Sequence, residues 1–141
     1  MYHLIYKSQA TGEFSPPELK TLLVRARMRN RELGVTGILV YGSGWFLQAL
    51  EGEQAAVAEI FSRIEKDPRH GNIAVLDRTA TLGKRRMFGD WSMAFADAAG
   101  VATVLKGFVD LKSGLTLSDV DQTQALQLLK ACSQEAVAPA G

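Results

Sequence analysis

The sequence has one cysteine, Cys132, among its 141 residues, so an internal disulfide is excluded. A chain with so little cysteine is typical of a reducing compartment. It also has no apolar run of about 18 residues, the length that a membrane-spanning helix requires. The N-terminal segment MYHLIYKSQA lacks the basic lead and apolar core of a signal peptide. Together these absences predict a cytoplasmic protein of one domain with a short appendage.

An excess of charge of either sign is also missing. Lysines and arginines number 16 against 15 acidic residues, a net charge of +1, so nothing points to nucleic acid as a partner. The one basic cluster, Lys84–Arg86, is short and is interpreted as a solvated turn. His3, His70 and Cys132 do not have the spacing of metal ligands, and no nucleophile elbow marks a hydrolase. Enzyme catalysis and a metal are therefore not expected.

Apolar periodicity predicts the element order β-α-β-β-α-β-β. This order is that of a ferredoxin-like α+β sandwich, a five-stranded mixed sheet with two helices on one face. Ser15 and Glu18 form a capping box at the start of the first helix, and Gly34 ends it. The predicted elements are strands at Tyr2–Ser8, Ile38–Tyr41, Trp45–Leu50, Asn72–Thr81 and Trp91–Phe95, and helices at Pro16–Leu33 and Gln54–Lys66.

Both faces of several strands are apolar, so the face away from the two helices also needs cover. The residues that we expect on this back face are Ile5, Leu39, Trp45 and Leu47. Residues 99–141 can supply this cover, through a short helix at Ala98–Leu105 and a second helix that Ser118 caps. The stripe of this second helix consists of Ala125, Leu128, Leu129 and Cys132. We therefore expect a core domain over residues 1–98 and a C-terminal helical extension over residues 99–141. The extension either lies across the back of the sheet or contacts another subunit.

The central hairpin, Thr36–Gly52, places an amide on an apolar strand face. Alternation puts Gln48 on one face with Phe46 and Leu50, while Trp45, Leu47, Ala49 and Glu51 lie on the other. On the first strand, Leu4, Tyr6 and Ser8 share one face and His3, Ile5 and Lys7 the other. A buried amide without a partner costs about 1–3 kcal/mol. Gln48 therefore needs a polar partner.

Three further polar side chains point to the same layer, between the sheet and the helices. Tyr6 and Ser8 lie on the strand face that the helices cover, and Asn30 interrupts the apolar stripe Leu19, Leu22, Leu23, Ala26 and Leu33. Tyr6, Ser8, Asn30 and Gln48 either satisfy one another or hold a flat polar ligand, and the residues alone leave both interpretations open.

The remaining charged and polar side chains have simpler interpretations. Arg25, Arg27, Arg29 and Arg31 lie mostly off the stripe and are expected in solvent. Arg63 and Asp67, four residues apart near the end of the second helix, are expected to form an exposed ion pair. On the fourth strand, Ile73, Val75 and Asp77 alternate against Ala74 and Leu76.

Four segments of the chain resemble the BLUF family of blue-light sensors that use FAD. They are LIYKSQA, RNRELGVTGILVYGSGWFLQALEG, RIEKDPRH and RRMFGDWSM. Each segment alone is weakly specific, but their order and spacing over roughly residues 2–95 are distinctive. The resemblance implies a non-covalently bound FAD whose ring lies between the two helices.

The resemblance also implies roles for individual residues. Tyr6 matches the photoactive tyrosine, Gln48 the switching glutamine, and Asn30 the asparagine that binds the pyrimidine side of the flavin. Trp91 and Met93 match residues of the last strand, although Trp91 fits simple core packing equally well. Arg63, Asp67, Arg69 and His70 match positions at the flavin rim, and Arg29, at a position where the family varies, is placed to reach a phosphate. Ser8 is added to the expected cofactor-binding residues because it shares the helix-covered strand face with Tyr6.

The implied mechanism is light-driven transfer of an electron and a proton from Tyr6, with Gln48 as the proton relay. Gln48 then returns in a changed hydrogen-bonding state, the flavin absorption shifts to the red, and the change passes to the last strand. No output enzyme is fused to the sensor within this sequence. The resemblance therefore implies signalling to a separate partner protein, from a dimer or larger oligomer.

Two other functions compete with the light sensor. One is a ferredoxin-like binding module without photoactivity, and the other is a small flavin-dependent enzyme. The colour of a bound flavin distinguishes the light sensor from the binding module. Turnover with an added reductant would reveal the flavin-dependent enzyme.

Overall fold

The computed structural model describes residues 1–12, 15–42, 44–81, 94–96 and 120–135. In these ranges the chain forms five strands and three helices. The elements are β1 (Tyr2–Ala10), α1 (Pro16–Leu33), β2 (Thr36–Gly42), β3 (Trp45–Gly52), α2 (Gln54–Glu65), β4 (His70–Ala80), β5 (Ala94–Ala96) and α3 (Gln122–Glu135).

The five strands form one mixed sheet in the order β4-β1-β3-β2-β5. Neighbouring strands are antiparallel except β5, which runs parallel to β2. β1 and β3 therefore lie at the centre, and their register places Tyr6 directly opposite Gln48. The predicted ferredoxin-like sandwich with a five-stranded mixed sheet is confirmed.

Helices α1 and α2 cover one face of the sheet, with Leu4, Tyr6, Phe46 and Leu50 in the same buried cluster as the helix stripes. α3 packs against the other face. The side chain of Lys7, which alternates with Tyr6 along β1, reaches the carbonyl of Val120 just before this helix at 3.1 Å. The predicted cover of the back face by a C-terminal helix is therefore confirmed for α3.

The predicted limits of α1 are confirmed by its capping bonds. Ser15 Oγ accepts a hydrogen bond from the Glu18 amide at 3.3 Å, and Glu18 Oε1 accepts one from the Ser15 amide at 3.1 Å. At the other end Gly34 adopts φ +68°, the left-handed conformation that glycine tolerates best. This cap fixes the direction in which the chain enters β2.

The fourth strand differs from its prediction in limits and alternation. It begins at His70 rather than at Asn72. A bulge between its pairings with Ile5 and Tyr6 places Val75 opposite Tyr6 but Asp77 opposite Ile5. Residues opposite each other share a face, so Asp77 lies on the back face and not with Val75. The simple period of two was wrong here because a bulge inserts an extra residue.

Some predictions fall outside the described residues. These are Trp91, Met93, the basic cluster Lys84–Arg86, the helix at Ala98–Leu105 and the cap at Ser118. Within the described part of the chain, no helix is long and apolar enough to cross a membrane.

Candidate functional site

A pocket opens between α1, the end of α2 and the helix-covered face of the sheet. Its volume is about 40 Å³, enough for a few water molecules but well below the roughly 300 Å³ of a small-molecule site. A flat ring system enters only if side chains at the mouth move outward. The pocket is lined by Leu22, Arg25, Ala26, Arg29, Leu39, Gln48, Ile64, Asp67, Arg69 and His70.

Tyr6 and Gln48 form a buried hydrogen-bonded pair behind this pocket. The Tyr6 hydroxyl donates to Gln48 Oε1, and the two side chains are 0% and 4% exposed. Burial raises the pKa of the Tyr6 hydroxyl far above its ordinary value, and the nearby Arg29 charge opposes the rise only in part. The phenol is therefore firmly neutral in this setting. Gln48 lines the pocket and also accepts the hydrogen bond from Tyr6, so it connects the pocket to the tyrosine.

Asn30 lies in the same layer, on the buried side of α1. It is 0% exposed, four residues after Ala26 of the same stripe. Its backbone carbonyl also accepts a hydrogen bond from the Val35 amide at 2.8 Å, which ties the helix end to the start of β2. The predicted burial of an amide at this position is confirmed, although Asn30 does not itself line the pocket.

Ser8 is joined to His70 rather than to the Tyr6–Gln48 pair. Ser8 Oγ and His70 Nδ1 are 2.8 Å apart, and the imidazole packs against Phe46 with ring centroids 5.0 Å apart. Burial lowers the pKa of His70, with the Asp67 carboxylate opposing this and the Arg69 and Arg29 charges adding to it. His70 is therefore a neutral wall of the pocket near pH 7.

Asp67 and Arg69 form the ion pair at the pocket edge. The closest contact, Arg69 Nη2 to Asp67 Oδ2, is 2.6 Å, and the Arg69 amide also donates to Asp67 Oδ1 at 2.9 Å. The side-chain hydrogen bond from Arg69 is the main cause of a lowered Asp67 pKa. This compact turn fixes the approach of the chain to His70.

The predicted pair of Arg63 with Asp67 is wrong. Arg63 Nη2 contacts Glu59 Oε1 at 2.9 Å, and both side chains are about half exposed, at 54% and 50%. Asp67 turns to Arg69 instead because the helix has already ended, and a residue beyond the last turn no longer faces the residue four before it. Arg63 is absent from the pocket lining.

Arg29 contributes a half-buried cation to the pocket. Its Nε is buried and has no hydrogen-bond acceptor within the described part of the chain. Burial is the main cause of a lowered Arg29 pKa, and the charges of Arg63 and Arg69 add to it. Its expected position in solvent is therefore wrong: this guanidinium is held where an acceptor or anion would stabilise it.

Sequence reasoning missed Arg25, which lines the pocket beside Arg29. The available signal was its spacing, because residues four apart lie on the same side of a helix. The position of Arg25 off the apolar stripe predicts instead a side chain in solvent. Leu22, Ala26 and Ile64 form apolar walls of the pocket as well as part of the core. The predicted position of Leu39 on the face away from the helices is wrong, because Leu39 lies directly opposite Gln48 on the helix-covered face and lines the pocket.

The donor set of the pocket fits a flavin. Apolar side chains on α1, α2 and β2 suit the faces of a flat ring, and Gln48 suits its polar edge. The unpartnered Arg29 Nε suits an acceptor or anionic group attached to the ring. Among the described residues, no group of three or more His, Cys, Asp or Glu side chains could hold a metal. The apolar walls and the polar groups of the lining favour an aromatic, hydrogen-bonding ligand.

Acid should destabilise the protein through His70. Because its pKa is lowered in the folded state, the unfolded chain binds more protons just below the ordinary value of about 6.5, so stability falls as the pH falls through this range. Urea unfolding of the purified protein at pH 7.5 and 5.5 measures the loss. His70→Gln keeps a polar partner for Ser8 and should flatten the slope. An equal slope in the variant would contradict this assignment.

Comparison with known proteins identifies the same family that the four sequence segments resemble. The family model described as "BLUF: Sensors of blue-light using FAD" matches residues 1–94. The photoactivated adenylate cyclase subunit beta of Euglena longa is 37% identical over 102 residues, which cover 71% of this chain and 12% of that protein. The chain thus spans only about an eighth of the length of this curated relative.

Two solved structures extend the likeness over nearly the whole chain. The dark state of BlrB, a BLUF protein, has a TM-score of 0.77 at 26% identity, covering 95% of this chain and 96% of that one. Klebsiella pneumoniae BlrP1 with FMN and cyclic diGMP has a TM-score of 0.65 at 29% identity, covering 95% of this chain and 34% of that one. Both likenesses include the sheet and the helices that form the pocket.

Proposed function

This chain belongs to the BLUF family of flavin-based blue-light sensors, and we propose that it binds FAD non-covalently in the α1–α2 pocket and signals to a separate partner protein. The observation that carries the proposal is the buried Tyr6–Gln48 pair. Gln48 lines the pocket, and its Oε1 accepts a hydrogen bond from the Tyr6 hydroxyl. Because an amide in this position contacts both the pocket and Tyr6, a change at one of them can alter the hydrogen bond to the other.

Each residue of the site has a defined task in this proposal. A bound flavin supplies absorption of blue light and, once excited, a strong one-electron oxidant. Tyr6 holds its proton at the hydroxyl oxygen, and the loss of an electron makes that proton strongly acidic. Gln48 Oε1 already accepts the hydrogen bond from this hydroxyl, so it would be the group that takes the proton as the electron leaves Tyr6. When the electron and the proton return to Tyr6, the amide would be left as its tautomer or in a rotated orientation, so that it would present a different hydrogen-bonding group to the pocket.

The other site residues shape the pocket. Asn30 supplies a buried amide on α1, and His70, neutral and bonded to Ser8, forms a wall. Asp67 and Arg69 hold the turn at the edge. Trp91 and Met93 remain assigned to the last strand by family resemblance alone. Arg63 is the weakest of the proposed cofactor residues, because its side chain is engaged with Glu59.

The absorption spectrum of purified protein, recorded in darkness and after blue light, tests the proposal. A flavin spectrum with a small reversible red shift supports it. A flavin spectrum that bleaches or stays constant would point to other flavin chemistry. A protein that takes up no flavin on reconstitution would instead be the non-photoactive binding module.

FAD is the proposed flavin because the matching family model names it. The BlrP1 structure with FMN shows that a related chain accepts a shorter flavin. Heat release of the chromophore followed by chromatography identifies which flavin co-purifies. FMN as the only released flavin would overturn the assignment of FAD while leaving light sensing intact.

The C-terminal extension over residues 99–141 is proposed to carry the signal. On the back face, Asp77 accepts hydrogen bonds from His3 at 2.9 Å and from Gln122 at 3.0 Å. Lys7 reaches Val120 from β1, the strand that also carries Tyr6. A shift of β1 would therefore act on the start of α3. The proposed homo-oligomer is testable by light scattering in darkness and in light.

Replacement of Gln122 by alanine should loosen α3 in the dark without changing the spectrum of bound flavin. The variant removes one of the side-chain hydrogen bonds between α3 and the sheet, a loss of about 0.5–1.5 kcal/mol. Amide hydrogen exchange in residues 122–135 measures it, and a several-fold faster exchange is expected. The control is Gln127→Ala, an exposed position on the same helix. Equal exchange in the two variants would contradict the role of Gln122.

A further inference from the structure

The mouth of the pocket carries more positive than negative charge. Four of its lining residues are charged, Arg25, Arg29, Asp67 and Arg69. Asp67 is fully engaged with Arg69, through contacts of 2.6 to 3.0 Å. In the described ranges neither Arg25 nor Arg29 forms an ion pair. Two positive charges therefore remain uncompensated at this opening.

These two arginines are arranged to act together. They lie four residues apart on α1, so their side chains project from the same side of the helix about one turn apart. Arg25 is exposed, whereas Arg29 is half-buried with an Nε that lacks an acceptor among the described residues. Burial and nearby positive charges lower the pKa of Arg29, and a bound anion would relieve both effects.

The small volume of the pocket also supports a role for Arg25 and Arg29 in binding a ligand. A ring entering a space of about 40 Å³ must displace side chains at the mouth. Arg25 and Arg29 are the long, flexible side chains on the α1 side of the mouth, within reach of a group that the ring carries outside the pocket. A flavin nucleotide carries its phosphate there, at the end of the ribityl chain. Guanidinium groups bind phosphate through paired, charge-assisted hydrogen bonds.

We propose that Arg25 and Arg29 form a phosphate-binding clamp that makes this pocket selective for phosphorylated flavins over riboflavin. The inference rests on the proposed flavin site and assigns a function to Arg25, which sequence reasoning placed in solvent. Arg69 stays with Asp67 and holds the opposite edge of the mouth. The clamp contributes affinity and selectivity, whereas Tyr6 and Gln48 carry the response to light.

The test is titration of the full-length protein, stripped of flavin, with FAD, FMN and riboflavin. Arg25→Ala and Arg29→Ala are each expected to weaken FAD and FMN binding about tenfold, which is about 1.4 kcal/mol, and to change riboflavin binding less than twofold. Arg31→Ala is the matched control, because it removes one exposed charge from the same helix. Raising the salt concentration should weaken FAD binding and leave riboflavin binding unchanged.

The outcomes separate this inference from the proposed function. Retained riboflavin binding shows that a variant is folded, so a selective loss of FAD and FMN supports the clamp. An equal loss for all three flavins would show that the arginines contact the ring or support the fold, and would overturn it. Equal affinities of wild-type protein for all three flavins, with no effect of either variant, would also overturn it. Failure of wild-type protein to bind any flavin would remove the proposed function itself.

Discussion

Replacement of Tyr6 by phenylalanine is expected to leave flavin bound and to abolish the light-induced red shift. The ring of Tyr6 is fully buried and packs against Phe61 with centroids 5.3 Å apart, and phenylalanine keeps this packing. Only the hydroxyl that donates to Gln48 is lost. Without this proton the amide has nothing to relay. Difference spectra before and after blue light measure the effect.

The matched control for this variant is Tyr2→Phe. Tyr2 lies on the same strand and packs against the same core, so the chemical change is identical but the pocket is not involved. The control should retain the full red shift. A normal red shift in Tyr6→Phe would show that the electron and proton come from another residue, and the mechanism proposed above would be wrong.

Replacement of Gln48 by leucine is expected to abolish the red shift as well, for a different reason. Leucine fills a similar volume but can neither accept the Tyr6 proton nor present an amide to the pocket. It also leaves the buried Tyr6 hydroxyl without its acceptor, which should lower the free energy of unfolding by about 1–3 kcal/mol. Spectra and urea unfolding measure the two effects. Gln54→Leu, at an exposed position in α2, is the control for the loss of an amide.

The double variant Tyr6→Phe/Gln48→Leu makes this second prediction sharper. Each single change removes one side of the Tyr6–Gln48 hydrogen bond and leaves the other polar group in place, but the double change removes both groups. Replacement of both partners by apolar groups of the same shape is nearly neutral. The double variant should therefore be more stable than the sum of the single effects predicts, by about 0.5–3 kcal/mol. Strict additivity would contradict a direct bond between the two side chains.

The sequence by itself determined the features that local chemistry controls. The capping box of Ser15 and Glu18 and the left-handed Gly34 set the ends of α1, because these residues satisfy backbone groups within the same few positions. Strand alternation placed Tyr6 and Gln48 on the helix-covered face, because side chains alternate with a period of two. The family resemblance then gave the flavin, which apolar pattern and spacing alone left open.

Only the tertiary structure decided which of these groups touch. The bulge in β4 moved Asp77 to the back face, where it meets His3 and Gln122. The bond of Ser8 with His70 likewise joins β1 to the start of β4. Such contacts depend on strand register over long separations, and a one-residue shift in register reverses the face of every side chain that follows.

The pairing and burial of the charged side chains around the pocket could not be predicted from the sequence pattern either. Spacing on an ideal helix paired Arg63 with Asp67, but α2 ends first, so Asp67 binds Arg69. Arg29 is drawn into a half-buried position by the elements around it, and Arg25 stands beside it at the mouth. Burial and neighbouring charge are set by the packing of several elements against one another, so no single segment of the sequence carries that information.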